Sequence, residues 1–305
     1  MSECRICPRA CGADREAGNI GFCGTPEDIF VSRAALHMWE EPCISGKNGS
    51  GTVFFSGCNL HCCFCQNYDI SRGSQGKKIT VERLAEIFLE LQARQANNIN
   101  LVTPTHYAFA IIPAIELAKN KGLTLPVVYN CGGYESVDTI KRLADYVDIW
   151  MPDMKYKSAE LSARYSNAAD YFERASKALE EMVRSTEAKG GMAFSEDKPE
   201  EMIMTRGVIV RHMTLPGATA DSKRILRYLH ESYGDRIYIS IMSQYTPMPH
   251  IMNTDKFPEL KRKVDPAEYG RLVDFAERIG IENAFIQEGE VAEESFIPQF
   301  DCSGV

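Results

Sequence analysis

The sequence predicts an α/β fold, a partial (β/α)6 barrel of the TIM type, with a small Cys-rich N-terminal metal-binding lobe. Three observations carry this. Six short apolar runs alternate with helical patterns along the chain. Each run is followed by residues that are polar or bear Gly or Pro. Eight of the eleven cysteines fall in two groups, Cys4, Cys7, Cys11 and Cys23 at the start, and Cys58, Cys62, Cys63 and Cys65 after the first run.

The elements follow in order. "GTVFF" (51–55) reads as a buried strand that ends in the cysteine loop. Thr80 is placed to cap a helix whose apolar positions Leu84, Ile87, Phe88 and Leu91 keep helical spacing. "INLVT" (99–103) is a second strand, and a helix from about Ala108 stops at Gly122. "LPVVYN" (125–130) is a third strand with the helix "SVDTIKRLAD" after it. "YVDIWM" (146–151) is a fourth, followed by one long helix with Tyr171, Ala175, Leu179, Met182 and Val183 on one side. The polar stretch 185–201 reads as an exposed excursion before a fifth strand within 202–213. "SKRILRYLHESYG" is a helix, "RIYISIM" (236–242) a sixth strand and "PAEYGRLVDFAERIG" a final helix. Strands alternating with helices at this spacing imply a parallel sheet with right-handed crossovers. Six units are two short of a closed eightfold barrel. The organisation is therefore a Cys-rich lobe over 1–45, a barrel over 46–282 and a C-terminal tail over 283–305 packing on the barrel.

Composition bounds the function. The chain has 305 residues, 44% hydrophobic and 25% charged, with a net charge of -8. An acidic chain is a poor nucleic-acid binder. No apolar run approaches the roughly 20 residues that span a bilayer. The opening residues lack a signal-peptide core. A cytoplasmic location is expected, without nucleic-acid or membrane partners, and there eleven cysteines suggest metal or catalysis over disulfides.

In parallel α/β barrels chemistry collects at the C-terminal ends of the strands. Here those ends carry the cysteine loop, then "TPTHY", "NCGGY", "PDMK", "RHMTLPG" and "SQYTPMPH". Within "SGCNLHCCFCQN" the thiols of Cys58, Cys62 and Cys65 are spaced C-x3-C-x2-C. Thiolates favour zinc or iron–sulfur clusters. Three suit a cubane with one iron left open. A fourth ligand from Cys63 or His61 would instead close a zinc site.

C-x3-C-x-aromatic-C, with Phe64 as the aromatic, after the first strand of a partial barrel resembles the radical S-adenosylmethionine (SAM) superfamily. "VYNCGGY", "PDMK" and "VRHMTLPG" resemble segments of pyruvate formate-lyase activating enzyme and its relatives. "SQYTPMPH" and the "FIQEG…FIPQFD" tail look closer still to an uncharacterised branch of those relatives. The resemblance implies a 4Fe-4S cluster on Cys58, Cys62 and Cys65, whose open iron chelates the amino and carboxylate groups of SAM. Reductive cleavage would give methionine and a 5′-deoxyadenosyl radical that abstracts hydrogen from a substrate. It further implies Asn130, Asp153, Lys155 and His212 around SAM, an anaerobic chemistry, and a flavodoxin or ferredoxin as electron donor. Read as bare residues, the alternative for Asp153 and Lys155 is a solvated turn pair, and for His212 a core histidine.

The chain departs from the superfamily after the second strand, where Gly-Gly-Glu holds the cofactor's amino group. It has "VTPTHY" instead. Thr103, Thr105 or His106 are the groups there able to accept a hydrogen bond from an ammonium, and none is anionic. The head cysteines, spaced C-x2-C-x3-C-x11-C among glycines, read as a second, closed site for zinc or a cluster. The functional expectation is a radical SAM oxidoreductase of the activating-enzyme type acting on a protein or peptide substrate, such as a glycyl-radical protein. The alternative is a non-catalytic zinc- or cluster-binding interaction protein on a degraded barrel.

Overall fold

A computed structural model describes residues 3–73, 75–197, 199–287 and 298–305. Among the described residues ten strands form the sheet: β1 (Ile29–His37), β2 (Ser50–Phe55), β3 (Lys77–Ile79), β4 (Ile99–Val102), β5 (Val127–Cys131), β6 (Ile149–Pro152), β7 (Ala193–Phe194), β8 (Met204–Met213), β9 (Tyr238–Met242) and β10 (Ala284–Ile286). Their spatial order is β10-β9-β8-β6-β5-β4-β2-β1-β3, with β7 beside β8. Strands β2, β4, β5, β6, β8, β9 and β10 run parallel. This is the open α/β sheet of a partial barrel, with the six expected parallel strands in place.

Strands β2, β4, β5 and β6 are buried at every position, the signature of parallel strands covered on both faces. Helices α1 (Val81–Ala93), α2 (Ala108–Asn120), α3 (Val137–Leu143), α4 (Ala159–Ser166), α5 (Tyr171–Ala188), α6 (Thr219–Tyr233) and α7 (Pro266–Arg278) cover the outside. Thr80 caps α1 by accepting the Arg83 N–H at 3.2 Å, worth about 1 kcal/mol. That helix then buries Leu84, Ile87, Phe88 and Leu91, each worth about 1.5–3 kcal/mol. Packing rather than capping therefore sets its position.

Four readings are corrected. The span 1–45 assigned to the Cys-rich lobe includes a sheet strand, because residues 29–37 form β1, antiparallel to β2, and β3 extends that side. Part of the tail is a seventh parallel strand, β10. The long helix after the fourth strand is two helices, broken at Asn167 in the left-handed region (φ 53°), where an Asn is tolerated. The stretch 185–201 is not a free excursion, since α5 continues to Ala188 and β7 pairs with β8.

The tail expected over 283–305 lies partly outside the described residues. Its last residues run beside β1, with Ala34 N–H donating to Ser303 O and Cys302 N–H to Ser32 O. Among the described residues no helix is long and apolar enough to cross a membrane.

Candidate functional site

A cavity of about 350 Å³ lies inside the curve of the sheet. The C-terminal ends of the parallel strands contribute most of its wall. Gly57, at φ 90°, turns the chain out of β2 into the cysteine loop. From that loop Cys58, Cys62, Phe64 and Cys65 face the cavity and Cys63 does not. The backbone explains the difference. Cys63 N–H donates to Tyr165 O at 2.7 Å, and His250 Nε2 sits 2.6 Å from Cys63 O. This ties Cys63 to the outer elements. His61 also turns away and stacks on Phe22 with ring centroids 5.0 Å apart.

The three cavity thiols sit among donors. Ser166 Oγ donates to Cys62 Sγ at 2.9 Å and Leu60 N–H points at Cys58 Sγ at 3.4 Å. Such bonds stabilise a ligating thiolate and tune its centre. Burial pushes the Cys58 thiol up to about 11 and that of Cys65 to about 12. Metal binding there has to release protons. Phe64 is locked edge-on between Tyr156, Tyr165 and Tyr245. The loop is thereby fixed before anything binds.

Beside the thiols stand four ionisable groups, of which Glu40 is pushed toward its neutral form by burial against the pull of Arg211. Arg211 Nε donates to Asp153 Oδ1 at 3.0 Å, its NH2 to Asn130 Oδ1 at 2.6 Å and its NH1 to Glu40 Oε2 at 3.4 Å. Lys155 pairs with the other oxygen of Asp153. Burial works against the charge on Asp153, but Lys155 and Arg211 overcome it and hold the carboxyl below the usual range. Burial likewise opposes the ammonium of Lys155, and Asp153 outweighs it, so the group stays cationic. Lys155 is also within electrostatic reach of Cys58, Cys62 and Cys65.

Of the residues singled out from sequence, Cys58, Cys62, Phe64, Cys65, Thr103, Asn130, Asp153 and Lys155 are brought to one cavity. Thr103 closes β4 at φ 58°. For a β-branched residue this costs about 1–2 kcal/mol, so the backbone there keeps a shape suited to glycine. Thr105, His106 and His212 are not in the cavity wall. Thr105 donates to buried Glu135 at 2.7 Å. His106 Nε2 lies 2.7 Å from Ser56 O. On β8, Arg211 and Met213 face the cavity. His212 points to the other side, as alternation requires, with Nδ1 2.8 Å from Met154 O.

Two charged cavity residues, Arg211 and Glu40, were missed by sequence reasoning. Arg211 adjoins a residue that was chosen, and a strict period of two along β8 was the signal available. Glu40 had none. It reaches the cavity because β1 runs antiparallel to β2, with His37 opposite Ser50, so the chain after β1 enters from the other end of the parallel strands. The carboxylate absent after the second strand is thus present from two other places, Glu40 and Asp153.

An open parallel barrel whose first strand ends in a three-thiol cavity defines a class of cofactor-dependent enzymes. The chain belongs to the radical SAM superfamily, whose model matches residues 52–229. An uncharacterized protein of Methanocaldococcus jannaschii is 26% identical over 293 residues, 92% of this chain and 76% of that protein. Among solved structures, SuiB of Streptococcus suis bound to precursor peptide SuiA superposes with a TM-score of 0.51 at 13% identity, over 77% of this chain and 47% of that one. Native anSMEcpe with bound AdoMet gives 0.51 at 14% identity, over 73% of this chain and 57% of that one. The chain thus spans about half the length of these structures, and the likeness is one of fold.

The family implies a 4Fe-4S cluster and SAM, and the residues fit both. Three thiols of the loop face the cavity, while the two groups able to close a four-ligand site, Cys63 and His61, are turned out of it. Two cations and two carboxylates suit a zwitterionic amino acid.

Proposed function

We propose that the chain cleaves SAM reductively and uses the radical to take hydrogen from a protein or peptide, in the manner of a glycyl-radical activating enzyme. The observation that carries it is the cavity shared by Cys58, Cys62 and Cys65 with Lys155, Asp153, Asn130 and Arg211. Bound there, cluster and SAM supply one-electron cleavage of the sulfonium to methionine and a 5′-deoxyadenosyl radical. Cys58, Cys62 and Cys65 each hold an iron. Lys155 would hold the cofactor carboxylate, Asp153 or Glu40 its ammonium, and Asn130 its remaining polar edge. Phe64 and Thr103 shape the wall. A flavodoxin or ferredoxin delivers the electron, and the four head cysteines form a second, closed metal site.

The peptide reading is supported by the rim. Trp39 lines the cavity yet is 67% exposed, and Met38 beside it is 44% exposed. An exposed large apolar side chain in a cavity wall suits a macromolecular partner. Two structures of this fold, SuiB and anSMEcpe, hold peptides, the latter with a TM-score of 0.50 at 13% identity. The test is anaerobic incubation of reduced enzyme with SAM and glycyl-radical proteins from the same cell. 5′-Deoxyadenosine together with a glycyl doublet in the paramagnetic resonance spectrum is the expected result. Turnover only with small metabolites, and no protein-borne radical, overturns the protein substrate.

His212 enters this reading as a positioning residue. Its Nδ1–H donates to Met154 O, between the two cavity side chains Asp153 and Lys155. Burial lowers its basicity and keeps the ring neutral. For His212→Leu we expect a stability loss of about 1–2 kcal/mol. SAM binding should weaken less than for Lys155→Met. Calorimetric melting and equilibrium dialysis check both, and intact stability with lost affinity would place His212 directly on the cofactor.

A further inference from the structure

The four head cysteines converge although they are spread over 4–23. A side chain at Gly21 would stand 3.3 Å from Cys11 Sγ and 3.5 Å from Cys23 Sγ, so those two sulfurs flank one point. The thiol of Cys4 lies close enough to Cys11 to influence its ionisation, and Cys7 lies within electrostatic reach of Cys4 and Cys23. Backbone amides of Ala13 and Phe22 near Cys11, and of Arg9 near Cys7, favour their thiolates. Four thiols ringed by amide donors form a ligand set for a metal centre.

The head is fastened to the barrel. Arg9, between Cys7 and Cys11, donates to Asn59 O, Ser166 O and Asn167 O and lies 4.1 Å from the Phe22 ring. Buried Arg15 donates to His106 O, Thr25 O and Pro26 O. Most telling is the inner edge, where Cys58 N–H donates to Cys23 O at 3.0 Å. A ligand of the head is hydrogen-bonded through its backbone to a ligand of the radical cluster. Gly57 permits this approach, since a Cβ there would stand 2.7 Å from Cys23 O.

Exposure gives the arrangement a direction. Cys11 is exposed, Cys4 and Cys7 half-buried, and Cys23 buried against the loop. Beside Cys11 the apolar Ile20 and Phe22 are exposed. A single zinc would need all four sulfurs about 2.3 Å from one centre. A cluster takes one iron per thiolate and accepts a wider ring.

We propose that Cys4, Cys7, Cys11 and Cys23 hold an iron–sulfur cluster through which electrons enter, from a surface donor at Cys11 to the radical cluster across the Cys23–Cys58 hydrogen bond. The step moves one electron, given by a reduced flavodoxin or ferredoxin, and makes or breaks no bond. It rests on the reading that Cys58, Cys62 and Cys65 hold the radical cluster.

The test uses the full chain, reconstituted without oxygen. Wild type is expected to bind about eight irons, and both Cys11→Ser/Cys7→Ser and the triple Ala variant of Cys58, Cys62 and Cys65 about four. The head variant's resonance signal should still respond to SAM, and the triple variant's should not. A wild type with no SAM-responsive signal means the radical-cluster reading itself has failed. One zinc and no iron in the triple variant overturns the head cluster. The reduced wild-type spectrum should be broader than the sum of the two variants, because neighbouring spins interact; a simple sum overturns the contact. Rapid-mixing reduction of the SAM-responsive cluster by the protein donor should slow by about an order of magnitude in the head variant. An unchanged rate overturns electron entry through the head. Cys11→Ser alone, at the exposed ligand, repeats these measurements if the double variant does not fold.

Discussion

Replacing any one of Cys58, Cys62 or Cys65 with Ala is expected to abolish SAM cleavage, while Cys63→Ala retains it. Each of the three thiols faces the cavity and would hold one iron. A cluster held by two thiolates has lost a third of its protein ligands and is open to solvent on that side. Cys63 is turned outward by two backbone hydrogen bonds, neither of which needs its sulfur. Iron and sulfide analysis with a deoxyadenosine assay checks the set. The assignment is wrong if Cys63→Ala loses the cluster while Cys62→Ala keeps it. The expectation is sharp because Cys62 and Cys63 are adjacent and chemically identical; only their direction differs.

Arg211→Met is expected to cost about 3–5 kcal/mol of stability, the largest effect of any single cavity side chain outside the thiols. Arg211 satisfies Asp153, Asn130 and Glu40 together, and its side chain is only 17% exposed. Methionine matches much of its volume but strands Glu40 without its cation in a poorly solvated space and leaves Asp153 with Lys155 alone. At ~2 °C per kcal/mol for a chain of this size, melting should fall by about 6–10 °C. Adding Glu40→Gln should recover part of the loss, because the stranded group is then removed. A melting temperature within a degree or two of wild type would show that the network is solvated and weak. Lys155→Met should cost less, since Asp153 keeps its bond to Arg211.

Much of the fold was legible because the parallel strands are covered on both faces. They carry mostly apolar runs, with VFF, INLV, VVY and IWM at their centres. What escaped lacks that pattern. In β1, "IFVSRAALH", Ser32 and Arg33 interrupt the apolar positions, because only part of the strand is covered. At three residues, β10 carries no periodicity of its own and is held by pairing with β9. Asn167, in its left-handed turn, splits what reads as continuous helix.

The sequence by itself determined the chemistry. Its clustered thiols, the strand that precedes them and the polar end of each later strand depend only on order along the chain. Tertiary structure alone decided which groups face the cavity. Adjacent residues in a strand point to opposite faces, so the choice between Arg211 and His212 depends on how β8 sits in the sheet. The choice between Cys62 and Cys63 depends on anchors at Tyr165 and His250, which lie 102 and 187 positions away from Cys63. Glu40 owes its place to the antiparallel pairing of β1 with β2, and Cys23 meets Cys58 because Gly57 lets two backbones touch. Each is a contact between distant segments, fixed by the packing of elements that no local pattern encodes.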